Sequence, residues 1–281
     1  MSEDKQQKTY RGRIAPTPSG YLHEGHARTF KVAWRRARER DGCVIYRNDD
    51  LDRLRCSEEF SRAAMDDLQG LKINWDEGPD CGGKYGPYNQ SERAEKYVST
   101  LLKLANNGLV YPCVKSRKEI QAFEIKAKVG NEYLFPQELR PSGKKFTNDQ
   151  VSLYTNWRFR TQWSEKVSFL DGRKGEQSFE IGKDFSDFLV WRKDGFASYE
   201  LASVVDDNLM KITEVVRGED LLISSARQCL LFDALGWKRP SFYHCKILLG
   251  SDGQKLSKST RSLPRLFSLS LKTALDSASD K

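Results

Sequence analysis

Two of the three histidines of this chain, His23 and His26, enclose a glycine at position 25. Imidazole N–H groups donate hydrogen bonds to phosphate oxygens, and glycine lets a ligand approach the backbone closely. A strand pattern ends near Ala15 and a helical pattern starts near His26, and a helix start offers free backbone N–H groups to anions. The spacing favours a triphosphate site, although two surface histidines in an ordinary loop would look the same.

A second segment with phosphate-binding chemistry lies late in the chain, at residues 250–259 (GSDGQKLSKS). Its glycines allow movement, and the ammonium groups of Lys255 and Lys258 can neutralise a leaving pyrophosphate. A solvated basic loop is the common alternative for a stretch of this composition. Because the carboxyl ends of parallel strands meet at one edge of an α/β sheet, the two segments can serve one site.

Apolar spacing around the first segment predicts alternating strands and helices. Residues 26–40 have a helical pattern and residues 44–46 form a short apolar strand. Ser57 and Ser91 are typical helix caps, and each is followed by acidic residues. This alternation predicts an α/β fold built on a Rossmann-type parallel sheet.

The middle of the chain has a different pattern, with short strand-like runs, scattered Gly and Pro, and alternating aromatic and basic residues at positions 157–160. We expect an inserted α+β subdomain there, after which the α/β pattern resumes near Ser198. The predicted order is a first half of the α/β domain, the inserted subdomain, the second half and a lysine-containing C-terminal segment. Their predicted bounds are 10–108, 109–195, 196–245 and 246–281.

The composition is typical of a soluble globular protein, with 38% hydrophobic and 31% charged residues. The net charge of +8 favours polyanionic partners such as nucleic acids or nucleotides. No apolar run approaches the ~20 residues of a membrane span, and the first residues lack an apolar signal core. We therefore expect a cytoplasmic monomer without membrane contact. The six cysteines form no Cys-x-x-Cys pair, which favours reduced thiols.

Several segments resemble one known family. Residues 23–26 (HEGH) and 255–259 (KLSKS) look like the HIGH and KMSKS signatures of class I aminoacyl-tRNA synthetases. The following segments are similar to the substrate-binding segments of its glutamyl branch: residues 13–23 (RIAPTPSGYLH), 199–207 (YELASVVDD) and 216–221 (VRGEDL). The resemblance implies a ligase that uses ATP, with Mg²⁺, to convert L-glutamate into glutamyl-adenylate and then transfers it to tRNA.

The sequence stops 23 residues after Lys258, where full glutamyl-tRNA synthetases continue with a helical anticodon-binding region. A catalytic body of this kind, with residues 86–93 (GPYNQSER) and 111–113 (YPC), resembles the glutamyl-queuosine tRNA(Asp) synthetases. The resemblance implies transfer of glutamate to queuosine in tRNA(Asp). Three alternatives stay open: a truncated glutamate–tRNA ligase that charges the 3′ end of tRNA(Glu), an activating enzyme with a protein or small-molecule acceptor, and a catalytically silent tRNA-binding paralogue.

Carried over position by position, the resemblance implies which residues contact glutamate and ATP and which take part in catalysis. Glutamate would be held by Arg13, Ala15, Ser19, Asp49, Tyr199 and Arg217. ATP would be contacted by His23, Gly25, His26 and Lys258. Catalysis would involve His23, His26, Lys255 and Lys258. Plainer roles are a surface ion pair for Arg217, a core aromatic for Tyr199 and a turn-forming residue for Asp49.

Asp49 departs from the family pattern, which usually has Glu at this position. Aspartate is one methylene shorter, so its carboxylate would meet the α-ammonium group of glutamate through water or after a backbone shift. A misplacement of about 1 Å can cost on the order of 100-fold in rate. Asp50 and Asp52 stand close enough in the sequence to substitute, which leaves the level of activity open.

The metal-binding pattern of the family is also altered. Relatives often bind zinc through Cys-x-Cys and Tyr-x-x-x-Cys, but residues 113–115 (CVK) and 135–139 (FPQEL) keep only Cys113. A structural zinc site needs about four N or S ligands. We therefore predict no metal site, with Phe135 and Leu139 packing in place of zinc.

The inserted segment is basic, with 16 Lys and Arg residues against 12 Asp and Glu residues in 109–195. If its partner is tRNA, basic side chains would contact phosphates. The candidates are Arg117, Lys118, Lys144, Lys145, Arg158 and Arg160. A solvated basic face is an equally good explanation for them.

Overall fold

The computed structural model describes residues 10–127 and 132–248. Helices in this part of the chain are α1 (Glu24–Arg38), α2 (Glu58–Gly70), α3 (Ala94–Asn106), α4 (Arg117–Gln121), α5 (Tyr199–Leu209) and α6 (Leu222–Ala234). Strands are β1 (Arg11–Ile14), β2 (Cys43–Tyr46), β3 (Val110–Cys113), β4 (Asn156–Phe159), β5 (Lys166–Asp171), β6 (Gly175–Glu180), β7 (Phe188–Trp191), β8 (Glu214–Gly218) and β9 (Ser241–Cys245). Within the described ranges, no helix has the length and apolar character that a membrane span requires.

The chain divides into two compact units that each draw on separate stretches of sequence. The first contains the described parts of Met1–Glu92, Lys211–Glu219 and Pro240–Lys281, and the second contains those of Arg93–Met210 and Asp220–Arg239. These units are defined by which residues contact each other in space. The boundaries expected after residues 108, 195 and 245 instead divide the sequence into two halves of one domain, an insertion between them and a C-terminal segment. That division of the sequence stays a prediction.

The first unit is built on parallel strands, which confirms the predicted α/β fold. β1 pairs with β2, and β8 pairs with β9. The backbone N–H of Thr213 donates to the carbonyl of Arg11 at 2.9 Å, which links the start of β8 to the start of β1. Because these strands run in parallel, the residues at their carboxyl ends lie at one edge.

Helix α1 packs on the parallel strands through small side chains. Ala27, Ala33 and Ala37 are its buried residues, at helical spacing. Ala33 lies in an apolar cluster with Val216 of β8 and Tyr243 of β9. Alanine lets the helix approach the sheet closely, so the start of α1 is held in place next to the strand ends.

The predicted N-cap of α2 is confirmed, and that of α3 is not. Ser57 caps α2 as predicted, since its hydroxyl accepts a hydrogen bond from the Phe60 N–H at 3.3 Å. The predicted cap at Ser91 is wrong. The backbone N–H and hydroxyl of Ser91 instead donate to the Asp50 carboxylate at 2.8 and 2.7 Å. A 3₁₀ turn therefore precedes α3, and Arg93 takes the N-cap position of α3.

The second unit combines an antiparallel sheet of β3, β4 and β7 with a β5–β6 hairpin. The predicted alternation along β4 is confirmed, because Trp157 and Phe159 are buried. The indole N–H groups of Trp157 and Trp191 donate to the carbonyls of Ser152 and Leu153, both at 2.9 Å. These two bonds fix the backbone of the loop that precedes β4.

Buried carboxylates hold the second unit together. Asp187 accepts hydrogen bonds from the Tyr111 hydroxyl at 2.6 Å and from the Thr161 N–H at 2.9 Å. In the helical part, Asp206 accepts from Arg93 Nε at 2.6 Å and from the Tyr97 hydroxyl at 2.8 Å. Buried charges of this kind are tolerated only when they are paired, so both networks are structural supports.

Candidate functional site

The two histidines of the first segment lie at the start of α1, as the sequence predicts. Their rings are stacked, with centroids 3.6 Å apart. The backbone N–H of His23 donates to Nδ1 of His26 at 3.3 Å. In neutral His26 the proton therefore sits on Nε2, which makes Nε2 the hydrogen-bond donor of the ring.

Gly25 permits this arrangement of the rings. A Cβ atom at position 25 would lie 3.1 Å from two atoms of the His23 imidazole, which is tighter than ordinary van der Waals contact. A larger residue would therefore push the stacked rings apart. The lysines of the second segment, Lys255 and Lys258, lie outside the described residues.

Arg13 is placed at the carboxyl end of β1 and is only 5% exposed. Its Nη1 donates to the carbonyl of Val216 in β8 at 3.0 Å. The residue that follows Val216 is Arg217, another predicted glutamate contact. The structure thus brings two guanidinium-bearing residues that are distant in sequence to neighbouring strand ends.

Arg217 is equally buried, at 5% exposure, which excludes the surface ion pair as its role. Its Nε donates to Nε2 of His244 at 3.4 Å, and its guanidinium lies 5.5 Å from the centre of the Phe242 ring. His244 faces Arg217 across the β8–β9 pairing and is fully buried. The sequence analysis gave His244 no role, because its position opposite Arg217 becomes visible only when β8 and β9 are paired.

Asp49 follows β2 and is buried beside Arg47. Arg47 donates to the Asp49 carboxylate from Nε at 2.7 Å and from Nη2 at 3.3 Å. The Arg47 side chain is fully buried, so the two residues form a bidentate ion pair in the turn that follows β2. Arg47 is a second residue that the sequence analysis missed.

The loop after β1 brings the remaining predicted positions of the first unit together. The backbone N–H of Asp49 donates to the carbonyl of Pro16 at 3.0 Å, and Ser19 N–H donates to the Thr17 carbonyl at 2.9 Å. Ala15 and Ser19 are both partly buried. The loop therefore lies against the turn that holds Asp49, between β1 and the start of α1.

Tyr199 belongs to the second unit, where it is the first residue of α5. It is 39% exposed, which excludes a core aromatic as its role. The preceding residue, Ser198, caps the helix by accepting a hydrogen bond from the Leu201 N–H at 3.3 Å. Tyr199 lines a cavity of about 500 Å³ together with Arg158, Glu200 and other residues of this unit.

Comparison with known proteins identifies the family. The sequence model of one family, the tRNA synthetases class I (E and Q), catalytic domain, matches residues 9–274.

The chain belongs to this family. Its members use ATP and are ligases. Membership agrees with the motifs at the start of α1 and with the parallel strands of the first unit.

Among the curated proteins, this synthetase chain is 44% identical over 257 residues to a glutamyl-Q tRNA(Asp) synthetase of Symbiobacterium thermophilum, covering 88% of the chain and 77% of the relative. It is 39% identical to glutamate–tRNA ligase 2 of Thermosipho melanesiensis, covering 88% of the chain but 49% of the relative. The chain thus spans about half the length of the glutamate–tRNA ligases that it matches.

A solved structure agrees with this family assignment. A glutamate tRNA ligase from Elizabethkingia meningosepticum, in complex with its amino acid, superimposes with a TM-score of 0.76 at 29% identity. The match covers 89% of this chain and 52% of that one.

The region expected to replace zinc in this synthetase is apolar. Cys113 is buried in a cluster with Tyr111, Ile120 and Phe135, against which Leu139 packs. The predicted packing of Phe135 and Leu139 is therefore present, and these hydrocarbon neighbours do not fit a zinc coordination sphere. The absence of zinc from the protein stays a prediction.

The six candidate phosphate contacts of the inserted segment fall into two groups. Arg158 donates to the carbonyl of Asp187 at 2.8 Å, and Arg160 donates to the carbonyl of Pro141 at 2.9 Å. Both guanidinium groups also lie over aromatic rings. The remaining candidate phosphate contacts are exposed, and they are Arg117, Lys118, Lys144 and Lys145.

Proposed function

We propose that this chain activates L-glutamate with ATP to form glutamyl-adenylate and then transfers the glutamate to tRNA. The observation that carries the proposal is the pair of buried arginines, Arg13 and Arg217, at neighbouring strand ends in the unit that also holds the His23–His26 helix start. A planar guanidinium recognises a carboxylate through two parallel hydrogen bonds. A buried, positively charged strand edge is therefore suited to an amino acid with two carboxylates.

Each predicted residue has a role in this proposal. Arg13 and Arg217 pair with carboxylate groups of glutamate, and Asp49 contacts its ammonium group. Ala15 and Ser19 form part of the wall of the glutamate pocket. The resemblance adds Tyr199 of the second unit to the glutamate contacts.

The first step is attack of a glutamate α-carboxylate oxygen on the α-phosphorus of ATP, with cleavage of the bond to pyrophosphate. A carboxylate is already a nucleophile, so no protein base is needed, and catalysis consists of alignment and charge stabilisation. His26 Nε2 and the backbone at Gly25 donate to phosphate oxygens, while Lys255 and Lys258 neutralise the leaving pyrophosphate. Mg²⁺ accompanies ATP, held mainly by phosphates and water.

The acceptor we favour is queuosine in tRNA(Asp), which is supported by the 44% identity to a glutamyl-Q tRNA(Asp) synthetase. The second candidate is the 3′ end of tRNA(Glu), which the 39% identity to a glutamate–tRNA ligase supports. A monomeric protein in the cytoplasm belongs to the same proposal.

Glutamate-dependent exchange between ATP and pyrophosphate tests the first step. We expect exchange with glutamate and much less with aspartate or glutamine, and Lys258→Ala is the negative control. Transfer of radiolabelled glutamate is then measured on tRNA(Asp) with and without queuosine and on tRNA(Glu). Transfer only to queuosine-bearing tRNA(Asp) supports the favoured acceptor, and charging of tRNA(Glu) alone supports the second. Better exchange with aspartate or glutamine would contradict the substrate.

A further inference from the structure

His244 of β9 is a buried histidine to which the proposed glutamate and ATP contacts give no role. It is the one histidine of the chain outside residues 23–26. It lies opposite Arg217 in the parallel β8–β9 register and is fully buried. Because a buried polar ring has to make hydrogen bonds, the partners of His244 indicate what the residue does.

The hydrogen bond between the His244 and Arg217 side chains has a defined direction. Every nitrogen of a guanidinium is a donor, so Arg217 Nε donates and His244 Nε2 accepts, at 3.4 Å. An imidazole nitrogen accepts only when it carries no proton, so the proton of the neutral ring sits on Nδ1. A proton on Nε2 would place two N–H groups against each other and break the contact.

Phe242 gives the Arg217 guanidinium a second fixed neighbour on the same strand. Phe242 and His244 are two residues apart in β9, so their side chains lie on one face of the strand. Their rings are stacked, with centroids 6.1 Å apart and an angle of 20° between the planes. The central carbon of the guanidinium lies 5.5 Å from the centre of the Phe242 ring. Strand β9 thus offers this group both an acceptor and an aromatic surface.

The chemical nature of the acceptor matters for the charge of Arg217. Elsewhere in the first unit, the buried Arg47 is paired with the carboxylate of Asp49. A carboxylate partner compensates the charge of a guanidinium, whereas a neutral imidazole accepts a hydrogen bond without carrying a negative charge. The contact with His244 therefore orients the Arg217 guanidinium and leaves its positive charge in place.

We propose that His244 is a positioning residue for glutamate: its unprotonated Nε2 holds Arg217 Nε and so fixes the plane in which the guanidinium meets a carboxylate of the substrate. The inference rests on the proposed function, in which Arg217 contacts glutamate. Two parallel hydrogen bonds to a carboxylate form only when the guanidinium and the carboxylate are aligned. Without its acceptor the guanidinium can rotate out of this alignment, so the affinity for glutamate falls while the ATP contacts are unchanged.

Substitutions at position 244 separate the acceptor from the volume of the side chain. His244→Leu keeps an apolar group there but removes the acceptor. It should raise the KM for glutamate in pyrophosphate exchange about 10- to 100-fold, as expected for the loss of a hydrogen bond to a charged group. The KM for ATP should stay at the wild-type value. His244→Gln places an amide oxygen near the position of Nε2, and it should restore most of the affinity for glutamate.

The matched control is Tyr243→Leu. Tyr243 is the neighbouring residue of β9, and it packs with Ala33 of α1 on the other face of the strand. This variant should lower the urea midpoint of unfolding without raising the KM for glutamate. Three results would overturn the inference: a wild-type KM for glutamate in His244→Leu, an equal rise of the KM values for glutamate and ATP, or an equal loss in His244→Leu and His244→Gln.

Nitrogen-15 NMR of the wild-type protein with labelled histidine tests the contact without activity and without a variant that fails to fold. Only three histidines have to be assigned. At neutral pH His244 should have a protonated Nδ1 and an unprotonated Nε2, and the Nε2 resonance should move in Arg217→Met. A proton on Nε2 would contradict the proposed role. If the wild type shows no glutamate-dependent exchange, the proposed function fails, and the NMR result still decides whether His244 holds Arg217.

Discussion

At the scale of single residues, Asp49 has to serve two partners in the proposed function. Its carboxylate is engaged by the buried Arg47 guanidinium through two hydrogen bonds. An ionised carboxylate has about four lone-pair sites, so a further donor such as an ammonium group can be accepted. The ion pair with Arg47 therefore fixes the orientation in which Asp49 would meet the amino acid.

Comparison of Asp49→Asn with Asp50→Asn tests this role. Asp49→Asn removes the charge opposite the ammonium group, and a charged hydrogen bond contributes about 1.5–3 kcal/mol. We expect the KM for glutamate in pyrophosphate exchange to rise about 10- to 100-fold, with the KM for ATP unchanged. Asp50 hydrogen-bonds Ser91 instead, so Asp50→Asn should leave the KM for glutamate unchanged. Equal increases in both variants would contradict the assignment.

A functional residue can be predicted from sequence when the residues that act with it are its neighbours along the chain. His23, Gly25 and His26 are recognisable because neighbouring residues along the chain form one ligand-binding turn. Arg47 and His244 could not be identified in this way. Their roles arise from burial against Asp49 and from strand pairing opposite Arg217, and neither is visible in local sequence.

At the scale of elements, one hydrogen-bonded group ties α1 to β8. Glu214 accepts from Arg36 Nε at 2.7 Å and Nη2 at 2.8 Å, and from the Tyr10 hydroxyl at 2.6 Å. Burial acts to raise the pKa of Glu214, but the hydrogen bonds from Arg36 and Tyr10 outweigh it and hold the pKa below its usual value. The link anchors the last turn of α1, and the two histidines lie at the other end of this helix, His23 as its N-cap and His26 in its first turn.

Glu214→Gln should therefore weaken the fold in a pH-dependent way. At pH 7 we expect its unfolding free energy to be lower by about 3 kcal/mol, because Arg36 loses its charged partner in a largely buried site. The folded-state pKa lies below the unfolded value of about 4.3, so the advantage of the wild type is present above that pH and is lost as the pH falls through the folded pKa. Urea unfolding from pH 7 to pH 3 measures the difference.

The control for that experiment is Glu58→Gln, which removes an exposed ion pair with Arg62 and should leave the stability unchanged. A loss in Glu214→Gln that is the same at both ends of the pH range would contradict the ionic role of Glu214.

The elements themselves were largely predictable, because apolar periodicity reports which face of a helix or strand is buried. The start of α3 was not. Ser91 has the right residue type for a cap, but the Asp50 carboxylate competes for its hydroxyl and N–H. A tertiary contact across the turn therefore overrides a local preference that sequence alone would favour.

At the scale of the whole molecule, the excess of positive charge is the property most relevant to a nucleic-acid partner. The net charge is +8, and exposed lysines of the second unit such as Lys144 and Lys145 contribute to it. Phosphate contacts release counterions from RNA, so their number sets how steeply affinity falls with salt. Composition predicts this behaviour, but it does not identify which lysines take part.

We expect the affinity for tRNA to fall steeply between low and moderate salt. Lys144→Ala and Lys145→Ala should each make the slope of log K against log salt shallower, by roughly 0.7–0.9 for every phosphate contact removed. Filter binding over a salt series measures the slope. Lys166→Ala is the control, since Lys166 is an exposed lysine of the same unit outside the candidate set. A slope equal to that of the wild type in the first two variants would assign these lysines to a solvated face.

The hydrogen bond between Arg13 and Val216 has a consequence for folding while the chain is being synthesised. The two residues are 203 positions apart. A ribosome adds about 5–20 residues per second, so roughly 10–40 s pass between the synthesis of β1 and that of its neighbour β8. An uncovered strand edge is a template for wrong pairing. Until β8 has been made, the nascent chain therefore carries an uncovered edge of β1 that could pair with another strand.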